Sequence, residues 1–229
     1  MNDTSGARCI SIIMDGNRRW AKEQGKQSLE GHAAGLKKVK EIVRHAFSRG
    51  IDTVILYAFS TENWNRTAEE VGYLMNLFQS AIEKEFEELI QEHIKIRFIG
   101  NLARLSEALR VVTKEIEEKS AAIDTKKTLV IALSYGGRPE IVSAVNHLLE
   151  SGAQRVDEAA LSEALWTAGL PDPDIVIRTG GEKRLSNFLP WQTVYSELFF
   201  TDTYWPAFTT GELDAILAEF AERERRHGK

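Results

Sequence analysis

The stretch Cys9-Ile10-Ser11-Ile12-Ile13-Met14-Asp15-Gly16-Asn17-Arg18-Arg19-Trp20 starts as an apolar, β-branched run and ends in a turn crowded with charge. A short continuous apolar run fits a strand covered on both faces, as in parallel sheets, better than the alternation of a half-exposed one. Parallel sheets bind ligands beyond the carboxyl ends of their strands, which makes Asp15 to Arg19 a first candidate cluster. Asp15 suits Mg²⁺ there, with Gly16 permitting close backbone approach. It is equally a plain Asp-Gly turn or a helix cap. Arg18 and Arg19 offer guanidiniums to an anion, and are also ordinary solvated charges.

Outward from this stretch, further short runs repeat the strand pattern: Thr53 to Phe59, Lys95 to Ile99, Leu129 to Ser134, Asp174 to Arg178 and Leu198 to Thr201. Helical spacing separates them. Leu36, Val39, Val43, Ala46 and Phe47 share one face before a stop at Gly50, completing a βαβ unit with the first two strands. A long helix is predicted from Thr67 to about His93, opened by Thr67-Ala68-Glu69-Glu70 as a capping box. Others are predicted at about Ser106 to Ala122, Pro139 to Ser151, Asp157 to Ala168 and Thr210 to Arg225, the last with a second capping box at Thr209 to Glu212. The expectation is an α/β fold, a single domain over residues 1–229, with a central, mainly parallel six-stranded sheet flanked by helices.

Composition sets limits. At 229 residues, 43% hydrophobic and 28% charged, the chain is long enough for one large core. No apolar run is long enough to span a membrane and no signal peptide opens the chain, so a cytoplasmic protein is expected. The net charge of −5 argues against nucleic-acid binding. Cys9 is the single cysteine, which excludes an internal disulfide and, with no metal-like spacing among His45, His93, His147 and His227, disfavours zinc. Gly-x-Ser-x-Gly, Gly-x-Gly-x-x-Gly and the Walker A pattern are absent, which lowers serine-hydrolase, dinucleotide and ATP readings.

Three more polar clusters follow predicted strand ends: Ser60 to Arg66, Tyr135 to Arg138 and Arg178 to Asn187. Arginine beside Gly, Ser or Asn offers bidentate donors and open backbone N–H groups to a phosphate. Arg178 and Arg184 with Ser186, around Gly180-Gly181, can wrap a diphosphate; a charged surface loop is the alternative. Glu197 is either a second carboxylate near a metal or a strand-initiating acid, and His32 either donates to an anion or is structural. A small phosphorylated substrate is the reading these clusters support.

In order, Ile13-Met14-Asp15-Gly16-Asn17-Arg18-Arg19-Trp20-Ala21, Gly31-His32-x-x-Gly35, Tyr57-Ala58-Phe59-Ser60-Thr61-Glu62-Asn63-Trp64-Asn65-Arg66, Tyr135-Gly136-Gly137-Arg138, Ile177-Arg178-Thr179-Gly180-Gly181-Glu182-x-Arg184-Leu185-Ser186-Asn187-Phe188, Tyr195-Ser196-Glu197-Leu198 and Trp205-Pro206 resemble the successive motifs of undecaprenyl diphosphate synthases and related cis-prenyltransferases. The resemblance spans essentially the whole chain. It implies Mg²⁺-dependent extension of an allylic diphosphate, typically farnesyl diphosphate, by isopentenyl diphosphate with cis double bonds. It further implies that Asp15 binds the metal, with Glu197 helping to place it. Gly16, Asn17, Arg18, Arg19, Trp20 and His32 would surround the allylic diphosphate, and Arg178, Arg184 and Ser186 would hold isopentenyl diphosphate. Phe59, Ser60, Glu62, Trp64 and Arg66 would contact substrate around Asn63, taken as catalytic, in a loop that assists proton removal. Leu74, Met75, Phe78, Ala81 and Ile82, with Ala58 and Leu133, become candidate lining for a chain-holding tunnel.

A homodimer is implied too, with the tail Arg226-His227-Gly228 resembling one that reaches a partner's active site, and with transient membrane-surface contact for product release. Two departures stand out. Bacterial members of the family usually carry Gly where this chain has Arg18, and Arg where it has Ser28; Arg18 is expected to replace the missing phosphate ligand. Asp-Gly-Asn-Arg-Arg is also similar to short-chain members, which leaves a short-chain synthase as an alternative; a non-catalytic subunit that binds prenyl diphosphates is another, against which the retention of Asp15, Arg178, Arg184 and Glu197 argues.

Overall fold

The computed structural model describes residues 6–223. Six parallel strands form one sheet: β1 (Cys9–Ile13), β2 (Thr53–Ser60), β3 (Lys95–Ile99), β4 (Thr128–Tyr135), β5 (Ile175–Arg178) and β6 (Glu197–Phe200), in spatial order β3-β4-β2-β1-β5-β6. Every described pairing is parallel, so the expected mainly parallel sheet is wholly so. The helices are α1 (Asn17–Glu23), α2 (Ser28–Ser48), α3 (Ala68–Gln91), α4 (Glu107–Ala121), α5 (Gly137–Glu150), α6 (Glu158–Ala164) and α7 (Thr210–Glu222). The tail motif Arg226-His227-Gly228 lies outside the described residues.

Period-two alternation sends successive strand residues to opposite faces. Ile10, Ile12, Val54, Leu56, Leu129, Ile131 and Leu133 pack on one face under α2, α3, α4 and α7. Cys9, Ile13, Ile55, Tyr57, Val130 and Ala132 pack on the other, against Phe188 and Leu189. Burial on both faces is why these strands read as unbroken apolar runs.

Two local readings come out differently. The Asp157–Ala168 helix stops at Ala164, because Leu165 turns to extended backbone (ψ 156°) and is buried. At the start of α3, Thr67 Oγ1 accepts from Glu70 N–H at 3.3 Å, but the Glu70 carboxylate does not return to the Thr67 backbone. The box at Thr209 to Glu212 is complete in both directions. The short helix α1, absent from the expected elements, starts directly after Gly16, whose φ of 100° suits glycine, and a Cβ there would stand 2.5 Å from the Tyr204 ring.

From β4 the chain crosses over β2 and β1 to reach β5, bringing the loops after β1, β2 and β5 together at the carboxyl edge. β2 ends irregularly: its register with β4 shifts between Tyr57 and Phe59 and again before Ser60. The bulge sends Phe59 to the same face as Leu56, and lifts Ser60 and the following 3₁₀ turn, Thr61–Asn65, over the sheet edge.

Candidate active site

Asp15 follows β1, and its carboxylate is gripped from two sides. Arg178 Nη2 donates to Oδ2 at 2.9 Å, Arg19 Nη2 lies 3.0 Å from Oδ1, and the Gly16 N–H donates to Oδ1 at 2.6 Å. Burial alone would raise this acid; the Arg178 hydrogen bond and charge, then Arg19 and the Gly16 N–H, outweigh it and hold the carboxyl below its ordinary 3.8. Asp15 is therefore ionised at neutral pH.

Arg178, only 4% exposed, ends β5. Its Nη1 donates to Ser186 Oγ at 2.7 Å and to the Arg184 carbonyl at 2.5 Å. Its buried Nε and Asn17 Oδ1 have no hydrogen-bond partner, and the buried Nε2 of His32 has only the Glu70 carboxylate, 3.5 Å away and out of hydrogen-bonding geometry. Buried polar atoms rarely stay unpaired unless something else is to meet them. All three residues line the same cavity of about 560 Å³, within the ordinary range for ligand pockets.

That cavity has two zones. Asp15, His32, Ser60, Glu62, Asn63, Arg66, Arg178 and Ser186 border it, while its apolar part lies between the sheet and the helices α2 and α3. Leu74, Phe78, Ala81, Ile82, Ala58 and Leu133 line it as the resemblance implied, joined by Val39, Leu56, Phe86 and Phe98. Met75 packs on the core outside the lining. Gly31 and Gly35 let α2 lie against Asn17: a Cβ would stand 2.1 Å from Asn17 O at Gly31 and 2.2 Å from Oδ1 at Gly35. This close approach brings His32 to the cavity.

Gly16, Arg18 and Arg19 instead line an adjoining outer pocket of about 780 Å³, with Lys22, Lys26 and Ser28. Other expected site residues lie elsewhere. Phe59 is buried in the core, edge-on to Trp64, whose Nε1 donates to Ser134 Oγ at 2.9 Å; neither borders the cavity. Trp20 is on α1 with the Lys26 ammonium 5.1 Å from its ring centre. The Arg184 guanidinium pairs with Glu182 at the surface.

Glu197 is not brought to Asp15. It pairs in register with Ile175, and hence with Ile10, while Asp15 lies beyond the row of Ile13, Arg178 and Phe200. The two rows are three residues apart, on the order of 10 Å at roughly 3.3 Å per residue, and Asp15 lies further still. The Glu197 carboxylate takes a 2.6 Å hydrogen bond from Arg223. A metal site shared by Asp15 and Glu197 is therefore not formed within this chain, and no cluster of three potential metal ligands occurs among the described residues.

One residue escaped the sequence reading. Glu70 accepts from Arg66 Nη1 at 2.9 Å, and its carboxylate lies 3.5 Å from His32 Nε2 and 3.7 Å from Arg18 Nη1. Its capping-box position masked this role; the available signal was Arg66, four residues earlier. Burial, followed by the charge of Arg66, lowers the His32 pKa from its ordinary 6.5 despite Glu70, so the ring is neutral at pH 7.

Rim and cavity together form a site that can grip a diphosphate by its oxygens and shelter an apolar chain below it. A family model described as "Putative undecaprenyl diphosphate synthase" matches residues 13–228. The chain belongs to this family of prenyl-transferring enzymes. The isoprenyl transferase of Porphyromonas gingivalis is 46% identical over 229 aligned residues, covering 97% of this chain and 89% of that protein. The ditrans,polycis-undecaprenyl-diphosphate synthase of Escherichia coli K12, described as specific for (2E,6E)-farnesyl diphosphate, is 45% identical, covering 97% of this chain and 90% of its own. The crystal structure of lavandulyl diphosphate synthase from Lavandula x intermedia, in complex with dimethylallyl diphosphate, superposes with a TM-score of 0.93 at 34% identity over 100% of both chains.

Proposed function

We propose that this protein is a cis-prenyltransferase that condenses isopentenyl diphosphate onto an allylic diphosphate, farnesyl diphosphate by the precedent of its relatives, to build a long Z-polyprenyl diphosphate such as undecaprenyl diphosphate. The observation that carries this reading is an ionised Asp15 held by buried Arg178 at the mouth of an apolar cavity. In each condensation the allylic C–O bond breaks and diphosphate leaves with the electron pair. The alkene of isopentenyl diphosphate bonds to the allylic carbon, and one proton is lost.

Leaving diphosphate is the harder demand, because negative charge grows on its oxygens. Arg18, Arg19 and neutral His32 serve the allylic diphosphate; Arg178, with its unpaired Nε, and Ser186 serve isopentenyl diphosphate. Asn63, with Ser60, Glu62 and Arg66, borders the cavity where the proton departs. The apolar lining excludes water from the electron-poor carbon.

Mg²⁺ fits this rim. It favours one or two carboxylates together with substrate phosphate oxygens and water, and Asp15 supplies an ionised, partly exposed carboxylate. When bound it would neutralise diphosphate charge.

Arg18 takes the part of the arginine absent at Ser28: both residues line the outer pocket. A homodimer is supported by Val194 and Tyr195, 68% and 71% exposed, beside the edge strand β6 with its exposed Leu198. No helix among the described residues is long and apolar enough to cross a membrane. We place the enzyme in the cytoplasm, touching the membrane surface as its apolar product departs.

Incubation with Mg²⁺, farnesyl diphosphate and labelled isopentenyl diphosphate, followed by product sizing, tests the reading. Long polyprenyl products support it, whereas one or two additions identify the short-chain synthase that the likeness to lavandulyl diphosphate synthase favours. No product with farnesyl or dimethylallyl diphosphate overturns catalysis and leaves a binding subunit.

A further inference from the structure

Asn187 joins three of the loops at the carboxyl edge. Its Nδ2 donates to Glu62 Oε1 at 3.0 Å, on the turn after β2. Its Oδ1 accepts from the Arg138 N–H at 2.9 Å and its carbonyl from the Gly137 N–H at 2.8 Å, both in the first turn of α5, directly after β4. Asn187 itself belongs to the loop after β5, directly following Ser186. Its backbone is left-handed (φ 65°), as are Ser186 (φ 49°) and Leu189 (φ 49°). Asparagine tolerates that region better than most residues, so backbone and side chain both suit this position.

Neighbouring residues are shaped around this junction. A Cβ at Gly136 would stand 2.8 Å from Asn187 Nδ2. Phe188 is buried and stacks on Tyr57 with ring centres 4.4 Å apart, and Tyr57 Oη donates to the Ser186 carbonyl at 3.3 Å. The β5 loop is thus pinned from below, while Glu62 is reached through the Asn187 amide. Burial would raise the Glu62 carboxyl, but the hydrogen bond from Asn187 and those from its own turn hold it below its ordinary value.

We infer that Asn187 is a positioning residue that ties the Glu62 turn to the Ser186 loop, so that the two walls of the isopentenyl diphosphate half-site are ordered as one unit. The inference rests on the prenyltransferase reading for its substrate, not for its geometry. Asn187→Asp keeps the left-handed backbone accessible but sets a carboxylate against Glu62. Asn187→Gly keeps the backbone and removes the amide.

The expected result for both variants is a KM for isopentenyl diphosphate raised about tenfold, with the KM for farnesyl diphosphate changed less than about twofold. Glu62→Gln combined with Asn187→Asp restores a donor–acceptor pair of reversed polarity, and should recover much of the isopentenyl KM lost in Asn187→Asp. Hydrogen exchange gives a readout independent of turnover: Asn187→Gly should speed exchange across residues 60–66. Unchanged exchange there, or unchanged isopentenyl KM in an active Asn187→Gly enzyme, overturns the inference. If wild-type protein makes no product while Asn187→Gly still exchanges faster than wild type across residues 60–66, the prenyltransferase reading is defeated and the coupling stands.

Discussion

Asp15 sits at the carboxyl end of a central strand with a buried arginine as partner, whereas Glu197 starts the edge strand with a half-exposed one. Both belong to family-like motifs, and both were expected near one metal ion. The Asp15 carboxylate borders a cavity with unpaired polar atoms; that of Glu197 is occupied by Arg223, whose guanidinium also lies 4.0 Å from the centre of the Phe199 ring. Side-chain chemistry is nearly the same at the two positions. The difference lies in which strand carries the acid and at which end.

The sharpest way to break this contrast is to remove each acid in turn. Asp15→Ala should lower kcat on the order of 1000-fold in the product assay, with diphosphate binding partly retained. A nearly normal rate would show the metal site to be misplaced. Next in size is the effect on the fold. Asp15→Asn leaves buried Arg178 without its ion partner, and should cost about 1–3 kcal/mol in denaturant unfolding near neutral pH.

The same variant tests the sign of the acid's contribution. The folded-state pKa of Asp15 is depressed, so its stabilisation is complete above the unfolded value and is lost as pH falls through the folded one, below 3.8. The stability difference between wild type and Asp15→Asn should accordingly shrink as pH drops below about 4, read from melting temperatures. A constant difference down to strong acid would contradict the depressed pKa.

Smaller effects sharpen the comparison. Arg18→Gly should raise the KM for the allylic diphosphate about five- to tenfold without a matching fall in kcat; an unchanged KM would mean that Ser28 has no substitute. Glu197→Gln should alter kcat less than about threefold and stability by less than about 1 kcal/mol, as suits a surface ion pair. A loss equal to that of Asp15→Ala would show that Glu197 reaches the chemistry by a route outside the single chain.

Much of this was legible beforehand. All six strands lie within a residue or two of their expected bounds; for β1, β2, β4 and β5 the reason is burial on both faces, which demands continuous apolar runs. The α3 stripe gave one wall of the cavity, since helical spacing puts Leu74, Phe78, Ala81 and Ile82 on one side. Glu70 was hidden by a capping pattern, which local sequence cannot distinguish from a carboxylate drawn away by Arg66, His32 and Arg18. The β2 bulge was equally hidden: an extra residue in the ladder leaves no mark in composition, yet it turns Phe59 into the core.

Sequence by itself determined the element types, the polar clusters at strand ends and the family, because these depend on hydrophobic period and on ordered local motifs. Only the tertiary structure decided strand order, and with it that Asp15 meets Arg178 across 163 residues of chain while Glu197 does not meet Asp15. The reason is that motif order runs along the chain, whereas contact depends on strand neighbours and register, which the packing of both sheet faces selects.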